Sequence, residues 1–160
     1  MLFRSHGGPM TAIEHSVGGA PSGIAGWLVL PAIGIVIGPP LIIFLSLKDI
    51  VPAFEIVPTG TSVYYLLVIE TITTLAVAGF GFYTAWQFFH KRSRTPSLYI
   101  IFLVIQMVVV LVDSILVYLV LEVPVFDMET TRTLGRQIVA AVIWIPYFRS
   151  SRRVKNTFVK

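Results

Sequence analysis

The sequence predicts an all-α integral membrane protein, with four transmembrane helices in a bundle and both termini cytoplasmic. Three observations predict it. Hydrophobic residues fill 56% of the 160 positions and charged ones 12%, a balance that would give a soluble domain an aggregating surface. Apolar stretches recur at the length needed to cross a hydrocarbon core about 30 Å thick, which takes roughly 20 helical residues. The basic residues are concentrated in alternate connections, as expected when Lys and Arg are retained on the cytoplasmic face.

The first 22 residues mix Gly, Ser, Pro and a few charges without periodicity and read as a flexible cytoplasmic tail. They lack the continuous apolar core of a cleaved signal peptide, so the first helix is expected to be retained as a span. That helix is predicted over 24–47. Pro31, Gly34 and Gly38 share one of its faces, and Gly34 with Gly38 makes a GxxxG spacing, a weak signal that ordinary packing explains. Within "IVIGPPLII", Pro39 and Pro40 each lack an amide donor and free a carbonyl at mid-membrane, which predicts a kink or break in the helix.

The second and third helices are predicted over 63–89 and 97–121. On the second, Glu70, Thr74, Ala78, Gly81 and Ala85 draw one small or polar stripe suited to close helix packing. The fourth, "LGRQIVAAVIWIPYF" (134–148), reaches only about 22 Å at ~1.5 Å per residue. Extending it back to about 131 brings it near the required length, with Arg132 reaching the interface. The transmembrane domain thus occupies 23–149, and 150–160 reads as a basic cytoplasmic tail.

Orientation follows from Arg4, from Lys91, Arg92 and Arg94 between helices two and three, and from Arg149, Arg152, Arg153, Lys155 and Lys160. These are nine of the twelve basic residues, and they place both termini inside. Trp27, Trp86, Trp144 and Tyr147 fall near the same helix ends, where an aromatic belt belongs. Beyond fixing topology, Arg149, Arg152, Arg153 and Lys155 are expected to contact anionic lipid, at roughly 1 kcal/mol per basic residue near a charged leaflet.

Three ionisable residues fall inside the spans. Glu70 lies roughly 10 Å below the outer surface, Asp113 roughly 12 Å and Arg136 roughly 7 or 8 Å, counted along their helices. Charges of attracting sign at one depth predict that the three meet, because an isolated charge there costs at least a few kcal/mol. Gln106 shares the face of Asp113, and Gln137 neighbours Arg136, which completes the expected polar cluster. Two carboxylates facing one guanidinium leave one negative charge in excess, and the pair is expected to titrate as a unit.

No catalytic, cofactor or metal site is expected. Cysteine is absent, which removes disulfides, thiolate ligands and thiol nucleophiles. His6, His15 and His90 lie outside the spans without a partner at ligand or triad spacing. "EVPVFDMET" lacks the ligand density of a calcium loop. The basic runs are short and tied to helix ends, which argues against nucleic acid. The expected function is that of a non-enzymatic accessory or scaffold in the membrane, its small-residue faces covered by a homo-oligomer or a larger membrane protein. The alternative is a proton-coupled small-molecule carrier, working as a homo-oligomer, with the carboxylates and the break at Pro39 and Pro40 lining its cavity.

"GIAGWLVLPAIG" (23–34), "FFHKRSRTPSLYIIFL" (88–103) and above all "RQIVAAVIWIPYFRSSRRVKNTFVK" (136–160) carry a family likeness. The chain resembles the domain-of-unknown-function 2569 family, YdgK-like small bacterial inner-membrane proteins, over nearly all of its length after residue 22. The resemblance implies four membrane helices and an inner-membrane location, and it implies no activity. Arg136 and Gln137 fall inside the matching C-terminal pattern; Glu70 and Asp113 match no motif of the family.

Overall fold

A computed structural model of the chain describes residues 23–159. The tail expected over 1–22, and Lys160 at the end of the expected C-terminal tail, lie outside the described residues. Among those described, all regular structure is helical: a 3₁₀ turn at Gly26–Leu28 leading directly into α1 (Val29–Ile56), then α2 (Ser62–Phe89), α3 (Thr95–Leu121), α4 (Met128–Ser150) and a short α5 (Arg152–Thr157). Three segments, Gly26–Ile56, Ser62–Phe89 and Thr95–Leu121, are long and apolar enough to cross a membrane.

α1 extends well past the predicted end at 47 and runs through Lys48, Asp49 and Glu55. Apolar residues continue beyond the charges, and Ile50 is buried. The helix stops where Val57 turns extended, at φ −82 and ψ 122, a conformation that the following Pro58 favours. The break expected at Pro39 and Pro40 does not occur, since α1 is continuous helix through both and through Pro52.

The reason lies on α2. Pro39 is buried, and a Cβ built on Gly81 would stand 2.6 Å from its Cγ and 3.1 Å from Phe102 Cε2. The absent side chain lets the pyrrolidine ring nest against the neighbouring backbone, so tight packing holds the proline turn in helical shape. Ala78 and Gly81 of the small stripe are buried in this contact face. Gly34 and Gly38, by contrast, face open space within the chain.

α2 and α4 each begin with a side chain supplying what the backbone lacks. Thr61 caps α2, its Oγ1 accepting from Tyr64 N at 3.2 Å and donating to Pro58 O at 2.9 Å. α2 ends in a Schellman arrangement, with Lys91 in the left-handed region (φ 53). Arg92 N donates to Gln87 O at 3.2 Å and Lys91 N to Phe88 O at 3.1 Å. Gln87 O also accepts from Thr95 Oγ1 at 3.0 Å, which stitches the start of α3 to the end of α2 two residues before the predicted start. Pro96 occupies the first turn of α3, where no amide donor is needed.

α4 begins at Met128 rather than near 131, because Asp127 caps it with Oδ1 accepting from Thr130 N at 2.7 Å. That side-chain hydrogen bond with Thr130, reinforced by the backbone bond, holds the Asp127 carboxyl below its ordinary range. The cap is therefore complete above the usual carboxylate pKa and is lost as pH falls through the lowered value of the folded state. Asp127→Ala is expected to lower the melting temperature at neutral pH. The gap to wild type should shrink as the medium is acidified, which melts in detergent across a pH series would read.

Packing runs in sequence, α1 on α2, α2 on α3 and α3 on α4, an up-and-down order that the short connections dictate. One layer joins all of them. Leu28, Ala32, Ile35, Phe88, Tyr99, Phe148, Val154 and Phe158 form a single buried cluster. The rings of Tyr99 and Phe148 stack at 4.5 Å, and Phe158 meets Phe88 edge-on at 5.2 Å. The described part of the segment read as a basic tail is thus folded over the helix ends. Val154 (1% exposed), Thr157 (2%) and Phe158 (5%) turn inward, at the i, i+3, i+4 spacing of one helical face. Thr157 Oγ1 accepts from Gly23 N at 2.9 Å, which fastens both described ends of the chain at one end of the molecule.

Candidate functional site

The helices are pinned together at the end where Gly23 meets Thr157, and larger spaces walled by several helices lie toward the other end. Next to the Pro39, Gly81 and Phe102 contact, a cavity of about 520 Å³ is walled by all four long helices, including Ile42, Thr74, Gln106, Arg136 and Gln137. A second space of about 240 Å³ lies between α2 and α3 alone and contains Glu70, Asp113, Thr73 and Thr74. A third, of about 360 Å³, is lined by Glu70, Asp113, Ser114, Glu129, Thr130 and Thr133 and reaches Val123, Pro124 and Asp127 of the connection before α4.

The structure places the expected cluster residues as follows. Glu70 and Asp113 come together, sharing two of the cavities. Arg136, Gln106 and Gln137 line the adjoining central one. The two groups share Val110, Glu129 and Thr133 as a common wall. Arg136 bonds a hydroxyl, its Nη2 donating to Thr133 Oγ1 at 3.3 Å. Gln137 is half-buried, and its Oε1 is sealed from solvent without a hydrogen-bond partner. An orphaned amide oxygen of this kind costs about 1–3 kcal/mol when nothing answers it.

Sequence reasoning missed Glu129, which lines two of these cavities. The signal was present, because Glu129, Thr133, Arg136 and Ala140 recur at four-, three- and four-residue steps once α4 begins at the Asp127 cap. Ser114 was also missed. It is buried, donates to Val110 O at 2.8 Å and pairs with Thr130 Oγ1 at 3.3 Å, which ties α4 to α3 beside Asp113.

Of the residues expected at anionic lipid, Arg149 lines a separate cleft of about 360 Å³ with Pro96, Ser97, Ile100, Ile101 and Phe148. Arg152 and Lys155 are exposed, whereas Arg153 is half-buried with its guanidinium over Gly26, in the pinned layer.

The fold and these spaces define a class: an all-helical protein with helices suited to a multi-pass membrane location and polar side chains gathered in cavities between them. A family model described as "Protein of unknown function (DUF2569)" matches residues 21–159, and the chain belongs to that family. No curated protein and no solved structure matches it.

Proposed function

We propose that the chain is a four-span protein of the bacterial inner membrane, both termini cytoplasmic, that works as a non-enzymatic accessory or scaffold. α4 is the fourth span. Its 23 residues extend about 35 Å, enough for the hydrocarbon core, and Glu129, Thr133, Arg136 and Gln137 on it line the central cavity. The pinned end carries Lys91, Arg92, Arg94, Arg149, Arg152, Arg153 and Lys155, which supports placing it inside, where these residues meet anionic lipid.

The observation that carries this reading is the asymmetry of the bundle. Cavities lined by Glu70, Gln106, Asp113, Arg136 and Gln137 lie toward its outer half, while one buried cluster of aromatic and aliphatic side chains packs the helices together at the inner end. Such a shape suits a module that receives a group from a ligand or a larger membrane partner and does not pass it through. Glu70 and Asp113 beside a cavity favour the second reading, a proton-coupled carrier working as a homo-oligomer, in which the aromatic layer would have to open.

Reconstitution into liposomes separates the two readings. Under an imposed pH gradient the wild type is expected to show no proton movement above empty vesicles. Glu70→Gln and Asp113→Asn are expected to change only stability or the recovery of a cross-linked partner. Proton flux that those substitutions abolish would establish the carrier and end the scaffold reading.

A further inference from the structure

We propose that the cleft between the start of α3 and the end of α4 seats one anionic phospholipid, its phosphodiester at Arg149 and Ser97 and the root of its chains along Ile100, Ile101 and Phe148. The inference deepens the reading above, in which the basic residues of the pinned end meet anionic lipid, and it rests on that end facing the cytoplasm. A diffuse attraction becomes a single seat.

Ser97 lies in the first turn of α3 and Arg149 in the last turn of α4, so the two polar groups stand at the same end of the bundle and line one cleft. From Ser97 to Ile101 the chain descends about 6 Å toward the bilayer centre, and Phe148 lies one residue deeper than Arg149. The cleft is thus polar at its mouth and apolar within, the order in which a phospholipid passes from phosphate to glycerol to acyl chain. Its volume of about 360 Å³ falls within the range of about 300–1,000 Å³ typical of small-molecule sites. That accommodates the phosphate and glycerol, and the chains leave sideways past Ile101, which is 46% exposed. The floor is preformed, because Phe148 is buried and its ring stacks on Tyr99 at 4.5 Å, so little ordering is lost on binding.

Charge selects the headgroup. Arg149 lines the cleft and has no hydrogen bond or ion pair among the described residues. Its planar fork of N–H donors matches a phosphate. The Ser97 hydroxyl, likewise without a partner among the described residues, can donate to a second phosphate oxygen. No carboxylate lines the cleft, so an ethanolamine or choline cation would find no counter-charge there and would meet the guanidinium instead. A glycerol headgroup leaves the phosphate charge uncancelled. A water-soluble phosphate would answer the mouth and leave the apolar wall unused, which decides for lipid.

The test uses the full chain purified in detergent, with phosphatidylglycerol, phosphatidylethanolamine and phosphatidylcholine of matched chains compared by native mass spectrometry. The expected result is one retained phosphatidylglycerol per chain, bound roughly fivefold more tightly than either zwitterionic lipid, the equivalent of one basic residue's attraction for an anionic lipid. Arg149→Gln should weaken it roughly tenfold through loss of a charge-assisted hydrogen bond, and Arg149→Lys should restore part of the binding. Arg152→Gln and Lys155→Gln remove the same charge from exposed positions outside the cleft and should each cost far less. Ile101→Trp crowds the apolar wall, leaves every charge in place and should weaken binding as well. Soluble glycerophosphate in excess should leave the lipid bound. Equal losses at Arg149, Arg152 and Lys155 would mean a diffuse basic face and overturn the seat, while the reading it rests on survives. Absence of any preference for phosphatidylglycerol would overturn both, and displacement by glycerophosphate would assign a soluble phosphate in place of lipid. Where Arg149→Gln does not fold, Ile101→Trp decides, since a diffuse basic face is indifferent to it.

Discussion

Removing the chain from Arg152 onward is expected to destabilise the protein by roughly 3–5 kcal/mol, because burying a Val or Phe side chain contributes about 1.5–3 kcal/mol. Val154 and Phe158 are both almost wholly buried, and Thr157 holds Gly23. Their loss would uncover Phe88 and Leu28, each with no exposed surface in the intact chain, and release the start of the described chain. Two measurements check this. The melting temperature in detergent should fall sharply, and protease should gain access near Gly23. The milder Phe158→Ala should cost about 3 kcal/mol through the cavity it leaves beside Phe88. A truncated chain that melts with the wild type would mean that the helix ends hold together without α5.

Gly81→Ala is the second substitution with a large expected effect. The added methyl would lie 2.6 Å from Pro39 Cγ, and the atom it meets belongs to a ring that cannot swing aside. Overpacking of this kind costs typically about 1–3 kcal/mol. Pro39→Ala removes the offending ring carbon, so the double variant should recover part of the loss, with a coupling of about 1 kcal/mol. Gly79→Ala serves as the control: a Cβ there meets nothing within 4 Å, and the change should be neutral or slightly stabilising. If Gly81→Ala melts no lower than Gly79→Ala, close approach at this level is not what keeps α1 continuous.

The sequence revealed the helices better than their ends, for a physical reason. Runs of Leu, Ile and Val announce a segment that lipid can surround, and α2 and α3 begin within two residues of where such runs predict. Helix ends depend on single side chains instead. Asp127 starts α4 through one hydrogen bond, and Val57 leaves the helix just ahead of Pro58. α5 was illegible because six residues rich in Arg and Lys look like a solvated tail. Its inward face becomes visible only when Val154, Thr157 and Phe158 are read together.

The candidate site was legible in part. Depth along each helix brought Glu70 and Asp113 to one level, and they share a wall. Depth cannot give the rotation of one helix about another, so it could not foretell that Arg136 would bond Thr133. Nor could it show that Glu129 would join the cavity, because that residue's place follows from where α4 starts. Of the kink or break expected at Pro39 and Pro40, the break is absent for a related reason. A lost hydrogen bond is visible in sequence, whereas the neighbouring surface that compensates for it is not.

The pinned layer also bears on how the protein is made. Leu28 and Phe158 belong to one cluster though nearly the whole chain separates them, so the apolar helices enter the bilayer well before the residues that lock them exist. Until Phe158 has been synthesised, the nascent bundle holds its helices by pairwise contacts alone. A ribosome stalled late in the message would therefore display a loosely gathered intermediate, the natural stage for membrane quality control to intervene.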